Sequence, residues 1–138
     1  MQNQQATMLY VDDHARSSRL LTAILQECGF EVIMTNDPIG AIGFCQKYCF
    51  DLALVVYEMP TMSGARLAEE LKFLAPDVPI VLLSGRMDIP KSDLVFVDAH
   101  FGPHTTLDDL LAKLRELGNV RTAAPTSSRL TTSWSDAT

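Results

Sequence analysis

The chain has 138 residues, 47% of them hydrophobic and 20% charged, and a formal net charge of −6 at pH 7. This length and apolar content suit one folded domain with a buried core, and they exclude a wholly disordered chain. The acidic balance argues against nucleic-acid binding, and the polar N-terminus and lack of an apolar run near the roughly 20 residues of a membrane span predict a cytoplasmic protein without membrane contact.

The first half of the chain alternates strand-like and helical segments. Apolar residues over Thr7 to Val11 predict a short buried strand. Ala15 to Cys28 has apolar residues at helical spacing, and Gly29 is placed to end this helix in a left-handed conformation. Phe30 to Thr35 predicts a second strand. Asp37 to Tyr48 predicts a second helix, because an aspartate at the cap position is followed by proline at the first helical position.

The middle of the chain continues this alternation. Asp51 to Val56 is apolar on consecutive positions, which is typical of a strand buried on both faces of a parallel sheet. Ser63 is expected to cap a third helix that Pro76 stops. Pro79 to Leu83 predicts a fourth strand.

The segment from Asp88 to Gly102 allows two interpretations. The first is a stunted helix over Pro90 to Val97, followed by a short last strand at His100 and Phe101. The alternative is that Leu94 to Val97 is itself the strand. A final helix is expected from about Thr106 to Gly118, because a threonine and an aspartate have the spacing of a capping box.

Five strand–helix repeats predict a doubly wound α/β domain with a five-stranded parallel sheet and a shortened helix 4. This domain is expected to cover residues 1–118. Residues 119–138 are rich in Ser and Thr and are expected to form a disordered tail. Parallel sheets of this kind bind ligands at the carboxyl ends of their strands, which is therefore where the motifs are sought.

Short motifs follow three of the predicted strands. They are Asp12-Asp13 after strand one, Met59-Pro60 with Gly64 after strand three, and Ser84-Gly85 after strand four. In this combination the chain resembles the response-regulator receiver domains of two-component signalling, over about Thr7 to Leu117. The resemblance implies a flavodoxin-like, CheY-like (βα)5 fold and a role in phosphorelay signal transduction.

In this family an aspartate at the end of strand three accepts a phosphoryl group, and an acidic pair holds the magnesium ion that neutralises its charge. The resemblance implies that Asp12 and Asp13 are the metal pair, assisted by the backbone carbonyl of Glu58. It also implies two switch positions, where side chains respond to phosphorylation in this family. One is Ser84, whose hydroxyl would bond the phosphoryl group, and the other is His100, which stands in place of an aromatic residue.

Two matching positions carry residues without the required chemistry. The phosphoacceptor position falls on Val56, and the position of the phosphate-binding lysine falls on Pro103, or on Gly102 if shifted by one. We therefore expect a pseudo-receiver without enzymatic activity that acts as a protein-interaction module. Its partner would be a sensor kinase or an output protein, and the chain itself a monomer or weak homodimer. No cofactor is expected, and magnesium binding should be weak or lost.

Several of these residues have a simpler structural interpretation. Asp12 and Asp13 would then be a relic pair facing solvent, and Ser84 a hydrogen-bonding residue at a strand end. Glu58 has a functional interpretation as a fixed negative charge, and its simpler interpretation is an exposed loop acid. His100 has a functional interpretation as a pH-sensitive replacement for the aromatic residue, and its simpler interpretation is a partly buried structural histidine. Tyr57 is expected to pack under the third helix.

Two other functions remain open at this point. The chain could work in a phosphorelay through another acceptor, such as Glu58 or the more distant Asp51. It could also be a flavodoxin-like nucleotide or flavin binder, although Asp12-Asp13 would repel an anion where such proteins present backbone amides.

Overall fold

The computed structural model describes residues 5–118, which form a parallel sheet of five strands in the order β2-β1-β3-β4-β5. The strands are β1 (Thr7–Val11), β2 (Glu31–Thr35), β3 (Leu52–Val56), β4 (Ile80–Leu83) and β5 (Ala99–Phe101). The helices are α1 (Ala15–Glu27), α2 (Pro38–Lys47), α3 (Gly64–Leu74) and α4 (Leu107–Gly118), with a 3-10 turn at Lys91–Leu94. The predicted five-stranded α/β fold is confirmed.

The helix boundaries follow the capping signals in the sequence. The Asp37 carboxylate accepts hydrogen bonds from two backbone amides in the first turn of α2. The Ser63 hydroxyl accepts one in α3, and the Thr106 hydroxyl one in α4. Gly29 follows α1 with a φ of 101°, a backbone conformation that residues other than glycine adopt only at a cost in free energy. These local features mark where α2, α3 and α4 begin and where α1 ends.

The sheet separates two apolar cores. Helices α1 and α4 cover one face, and α2 and α3 cover the other. All five residues of β3 are buried, and its side chains alternate between the two cores, with Val56 on the α1/α4 side. A central strand buried on both faces has the continuous apolar sequence seen here, in contrast to a half-exposed strand.

The connection from β4 to β5 differs from expectation. The stunted helix predicted over Pro90 to Val97 is a single 3-10 turn of four residues, and the alternative strand at Leu94 to Val97 is wrong, since β5 is Ala99–Phe101. Asp98 explains where the strand begins. Its carboxylate accepts a hydrogen bond from the Ile80 amide at 2.7 Å, and its own amide donates to the Ile80 carbonyl at 2.8 Å.

The predicted tail at 119–138 lies outside the described residues. None of the helices within 5–118 has both the length and the apolar character needed to cross a membrane.

Candidate functional site

The carboxyl ends of β1 and β3 border an open pocket of about 430 Å³. Its lining consists of Asp13, His14, Tyr57, Glu58, Met59, Pro60 and Ser63. Of the predicted site residues at the ends of these two strands, Asp13 and Glu58 line the pocket, whereas Asp12 and Val56 do not. Ser84, after strand four, joins them through a hydrogen bond to Glu58. His100 and Pro103 do not line this pocket.

Val56 is the last residue of β3 and stands at the expected acceptor position. It is 6% exposed and belongs to the apolar core on the α1/α4 side, together with Leu83 and the partly buried Phe101. A hydrocarbon side chain offers no oxygen to a phosphoryl group or a metal ion. The position therefore contributes packing to this end of the sheet.

Gly64 holds the first turn of α3 directly against the end of β3. Its amide donates to the Tyr57 carbonyl at 2.8 Å. A Cβ atom on Gly64 would lie 2.4 Å from the Val56 carbonyl oxygen and 2.8 Å from the Tyr57 Cα. Only glycine permits this approach, which explains why a glycine follows the Met59-Pro60 turn.

Asp12 is buried, with 1% of its surface exposed. Its Oδ2 accepts a hydrogen bond from the Tyr10 hydroxyl at 2.6 Å, and its Oδ1 accepts one from the His14 amide at 2.9 Å. The expectation of a solvent-facing relic is therefore wrong for Asp12. Burial raises the pKa of Tyr10, and the neighbouring Asp12 carboxylate raises this pKa further.

Asp13 and His14 face each other at the pocket edge. The His14 Nδ1 lies 3.1 Å from the Asp13 Oδ1 and 3.4 Å from the Asp12 Oδ1. The Asp13 Oδ1 is buried and, within residues 5–118, accepts no hydrogen bond. The sequence interpretation did not single out His14. The available signal was its position directly after the acidic pair, where α1 begins.

Glu58 reaches across to the end of β4. Its Oε2 accepts a hydrogen bond from the buried Ser84 hydroxyl at 3.2 Å, and its Oε1 accepts one from the Gly85 amide at 3.4 Å. The Ser84 oxygen in turn accepts from the Arg86 amide at 2.8 Å. Glu58 is partly buried, so the interpretation as an exposed loop acid is wrong. The result is a partly buried carboxylate that is hydrogen-bonded to the first residues after β4.

Tyr57 connects β3 to the 3-10 turn. Its hydroxyl donates to the Asp93 carboxylate at 2.5 Å, and this hydrogen bond, with burial, raises the pKa of Tyr57. The ring is partly buried against the core that contains the apolar face of α3, as expected. The link to Asp93 spans 36 residues in sequence and has no local sequence signal.

His100 is exposed, so the expectation of a partly buried structural histidine is wrong. It pairs with Leu82 and lies on the same face of the sheet as that residue. The chain between β4 and β5 supplies only a four-residue 3-10 turn in place of a helix, and β5 is an edge strand. Pro103 is partly buried in the turn after β5, and no lysine occurs between positions 102 and 112.

A doubly wound five-stranded sheet with an acidic pair after β1 and a serine after β4 defines the CheY-like receiver class. The family model for the response regulator receiver domain matches residues 8–100, and the chain belongs to this family.

Curated relatives include the autoinducer 1 sensor kinase/phosphatase LuxN of Vibrio campbellii, 31% identical over 88% of this chain. Transcription factor SKN7 of Saccharomyces cerevisiae is 30% identical over 77% of it. The match spans only 15% and 16% of the lengths of these two proteins.

Solved structures agree with this fold. The response regulator TrrA of Thermotoga maritima, in complex with Mg²⁺-BeF, has a TM-score of 0.77 at 26% identity, covering 82% of this chain and 99% of that one. A CheY-like receiver protein of Methanospirillum hungatei has a TM-score of 0.76 at 25% identity, covering 84% and 95%.

Proposed function

We propose that this chain is a pseudo-receiver of two-component signalling, which takes no phosphoryl group at the usual position and works through protein contacts in the cytoplasm. The observation that carries the proposal is Val56. At the end of β3, where receivers hold their acceptor aspartate, this chain has a buried valine packed into the core. The domain would bind a partner and would catalyse no reaction.

The surrounding donors fit a magnesium ion poorly. Magnesium requires near-octahedral oxygen ligands, and Val56 supplies none. Both oxygens of Asp12 already accept hydrogen bonds, and the Glu58 carboxylate is bonded to Ser84 and to the Gly85 amide. A flavin or nucleotide phosphate would meet the same carboxylates. The pocket therefore supports neither the usual magnesium-dependent transfer nor anion binding.

Glu58 supports a fixed conformation in place of a phosphorylation switch. In receivers the hydroxyl after strand four bonds the phosphoryl group and draws its loop inward. Here the Ser84 hydroxyl donates to the Glu58 carboxylate of the chain itself, and the next amide, Gly85, donates to the same group. We propose that Glu58 supplies the negative charge that holds this loop without phosphorylation.

The surface beside the 3-10 turn supports a binding role. Phe73 on α3 is 84% exposed and Phe96 is 41% exposed, and both line a pocket of about 410 Å³ with Glu69, Glu70 and Lys72. Exposed apolar patches rimmed by polar residues mark interaction sites, and these two rings lie beside charged side chains. This surface is a candidate for contact with a sensor kinase or an output protein.

Intact-mass analysis tests the proposal. The protein is incubated with a small-molecule phosphodonor and magnesium, beside a receiver that retains its aspartate. We expect the mass of this chain to stay unchanged while the control gains one phosphoryl group. A stoichiometric, hydroxylamine-labile gain would contradict the proposal. Peptide mapping would then distinguish transfer to Glu58 from transfer to Asp51.

A further inference from the structure

The pocket beside the 3-10 turn also fits a segment of this chain itself. We propose that the C-terminal segment, residues 119–138, docks Trp134 on the pocket that Phe73 and Phe96 line. A partner that uses this surface would then have to displace the segment first. That regulatory consequence rests on the binding role proposed above, whereas the docking itself does not.

Exposed apolar side chains concentrate at this pocket. Phe73 and Phe96 both line it, although the ring of Phe73 is almost fully exposed. Each has an exposed apolar neighbour in sequence, since Leu74 follows the first and Val95 precedes the second. These two pairs are half of the eight large apolar side chains that are exposed within residues 5–118. Such a concentration on a folded domain marks a surface that another segment covers.

The C-terminal segment carries a matching anchor. Trp134 is the single tryptophan of the whole chain, and most of the residues around it are Ser, Thr and Ala. An indole ring suits phenylalanine rings, because aromatic pairs gain from edge-to-face or offset contacts in addition to their buried area. Aromatic anchors in pockets also carry much of the binding energy at protein contact sites. Trp134 is therefore the residue of this segment that fits the pocket.

The charges on the two sides are complementary. The segment has two arginines, one of them Arg129, and one aspartate. The pocket has Glu69, Glu70 and Lys72. The Lys72 Nζ lies 2.9 Å from the Asp98 Oδ2, and Glu70 is paired with an arginine one turn earlier in α3. Glu69 is exposed and, within residues 5–118, takes part in no such pair, so it is the acid most open to Arg129.

The described chain stops at the same edge of the sheet as the pocket. A Cβ atom on Gly118 would lie 3.2 Å from the side chain of Leu52, the first residue of β3. On the other side, Lys72 of the pocket donates to the Val78 carbonyl at 2.9 Å, just before β4 begins. β3 and β4 are parallel neighbours, so both places lie at the amino ends of adjacent strands.

The chain between these two places is long enough. Residues 119–133 separate Gly118 from Trp134, and fifteen residues span at most about 50 Å when extended. The diameter of a small domain is only about 30 Å. Trp134 can therefore reach the pocket even by a path around the helices. The covalent connection also raises its effective concentration there above that of a separate partner.

Tryptophan fluorescence of the full chain tests the docking, because Trp134 is the only indole. We expect emission at a shorter wavelength, and weaker quenching by acrylamide, than for the same protein in concentrated urea. Phe73→Ala should lower the ratio of docked to undocked segment by about tenfold, as loss of a central aromatic anchor does at protein contacts. Quenching should rise accordingly. Phe73 is 84% exposed, so this change should leave the fold intact.

Matched variants locate the contact. Glu69→Lys should increase quenching of Trp134, because it reverses the charge that faces the arginines. Tyr48→Ala removes an exposed aromatic ring at the end of α2 and should change nothing. Quenching equal to that in urea, or quenching that rises in Tyr48→Ala and not in Phe73→Ala, would overturn the proposal.

Dilution separates this docking from contact between two copies. Protection of Trp134 within one chain should not depend on protein concentration, whereas protection that disappears on dilution would assign the contact to a second copy and overturn the proposal. The phosphorylation test by intact mass does not involve Trp134. Failure of the docking and failure of the proposed function are therefore told apart.

Discussion

At the residue scale, the valine at position 56 contributes to stability rather than to chemistry. Its burial is worth about 1–2 kcal/mol, and a carboxylate there would be desolvated without a cation beside it. We expect Val56→Asp to lower the free energy of unfolding by at least about 2 kcal/mol in urea denaturation. The matched control, Val56→Thr, keeps the shape without the charge and should cost less.

A lysine after β5 should recover part of this loss. Pro103→Lys, combined with Val56→Asp, would supply the missing cation to the new carboxylate, and some magnesium-dependent phosphorylation should appear. Gly102→Lys tests the neighbouring position, where a Cβ meets only the Arg86 carbonyl oxygen at 3.6 Å. Substitutions that share one pocket have effects on the free energy of unfolding that do not simply add. Strictly additive effects of each lysine with Val56→Asp would mean that neither position reaches the pocket.

Glu58 gives a second prediction at this scale. Glu58→Ala removes the acceptor of the Ser84 hydroxyl and of the Gly85 amide. We expect faster hydrogen exchange at Gly85 and Arg86, whose amides depend on this arrangement. Glu58→Gln keeps an acceptor oxygen and should show a smaller increase. Glu69→Ala, an exposed acid on α3, is the control; if it has the same effect, Glu58 does not hold the loop.

At the element scale, one hydrogen bond connects the 3-10 turn to the sheet. Tyr57→Phe removes the donor to Asp93 and should lower the free energy of unfolding by about 1 kcal/mol. The raised pKa of Tyr57 means that this contribution is present below about pH 10, the pKa of an unfolded tyrosine, and is lost as the folded tyrosine ionises. Urea denaturation at pH 8 and above pH 10 measures both effects.

Tyr48→Phe is the matched control for this change. Tyr48 is 57% exposed at the end of α2, so removal of its hydroxyl should have little effect on stability. An equal loss in both variants would show that the Asp93 bond contributes nothing.

Local signals predicted most elements, because caps and apolar periods act within a few residues. Asp37, Ser63 and Gly29 mark their helix ends as the sequence indicates. The contacts that shape the site join distant segments instead. The Tyr57–Asp93 and Glu58–Ser84 bonds span 36 and 26 residues. No periodicity encodes such pairs.

The exposure of His100 was missed for a related reason. A strand residue is buried only if a neighbouring element covers it, and the length of the helix after β4 could not be read from an ambiguous segment. With only four residues in the 3-10 turn, His100 is left open to solvent. Asp12 is buried with a partner for its carboxylate, since the hydroxyl of Tyr10, two residues earlier, donates to its Oδ2.

At the scale of the whole molecule, the buried Tyr10 makes the free energy of unfolding decrease at high pH. Its folded pKa is raised by burial and by Asp12, so above about pH 10 the unfolded chain loses a proton that the folded chain keeps. Stability should therefore fall by an additional 1.4 kcal/mol or so per pH unit in this range.

Tyr10→Phe should remove this part of the dependence of the free energy of unfolding on pH, which is the slope to be measured. The variant will be less stable at neutral pH, because the Asp12 Oδ2 loses its donor. The slope is therefore the informative quantity. Urea denaturation between pH 9 and pH 11 measures it, and identical slopes for both proteins would contradict the assignment.

The composition of the α1/α4 core has a consequence for synthesis on the ribosome. Four leucines of α4, Leu107, Leu110, Leu111 and Leu114, pack in one cluster with Met8 and Tyr10 of β1, about 100 residues earlier in the chain. A nascent chain that ends before Leu107 has α1 on this face of the sheet but leaves the part that α4 covers exposed, even when all five strands are complete. We expect such arrested chains to be cleaved rapidly by protease and to become resistant only once α4 has left the exit tunnel.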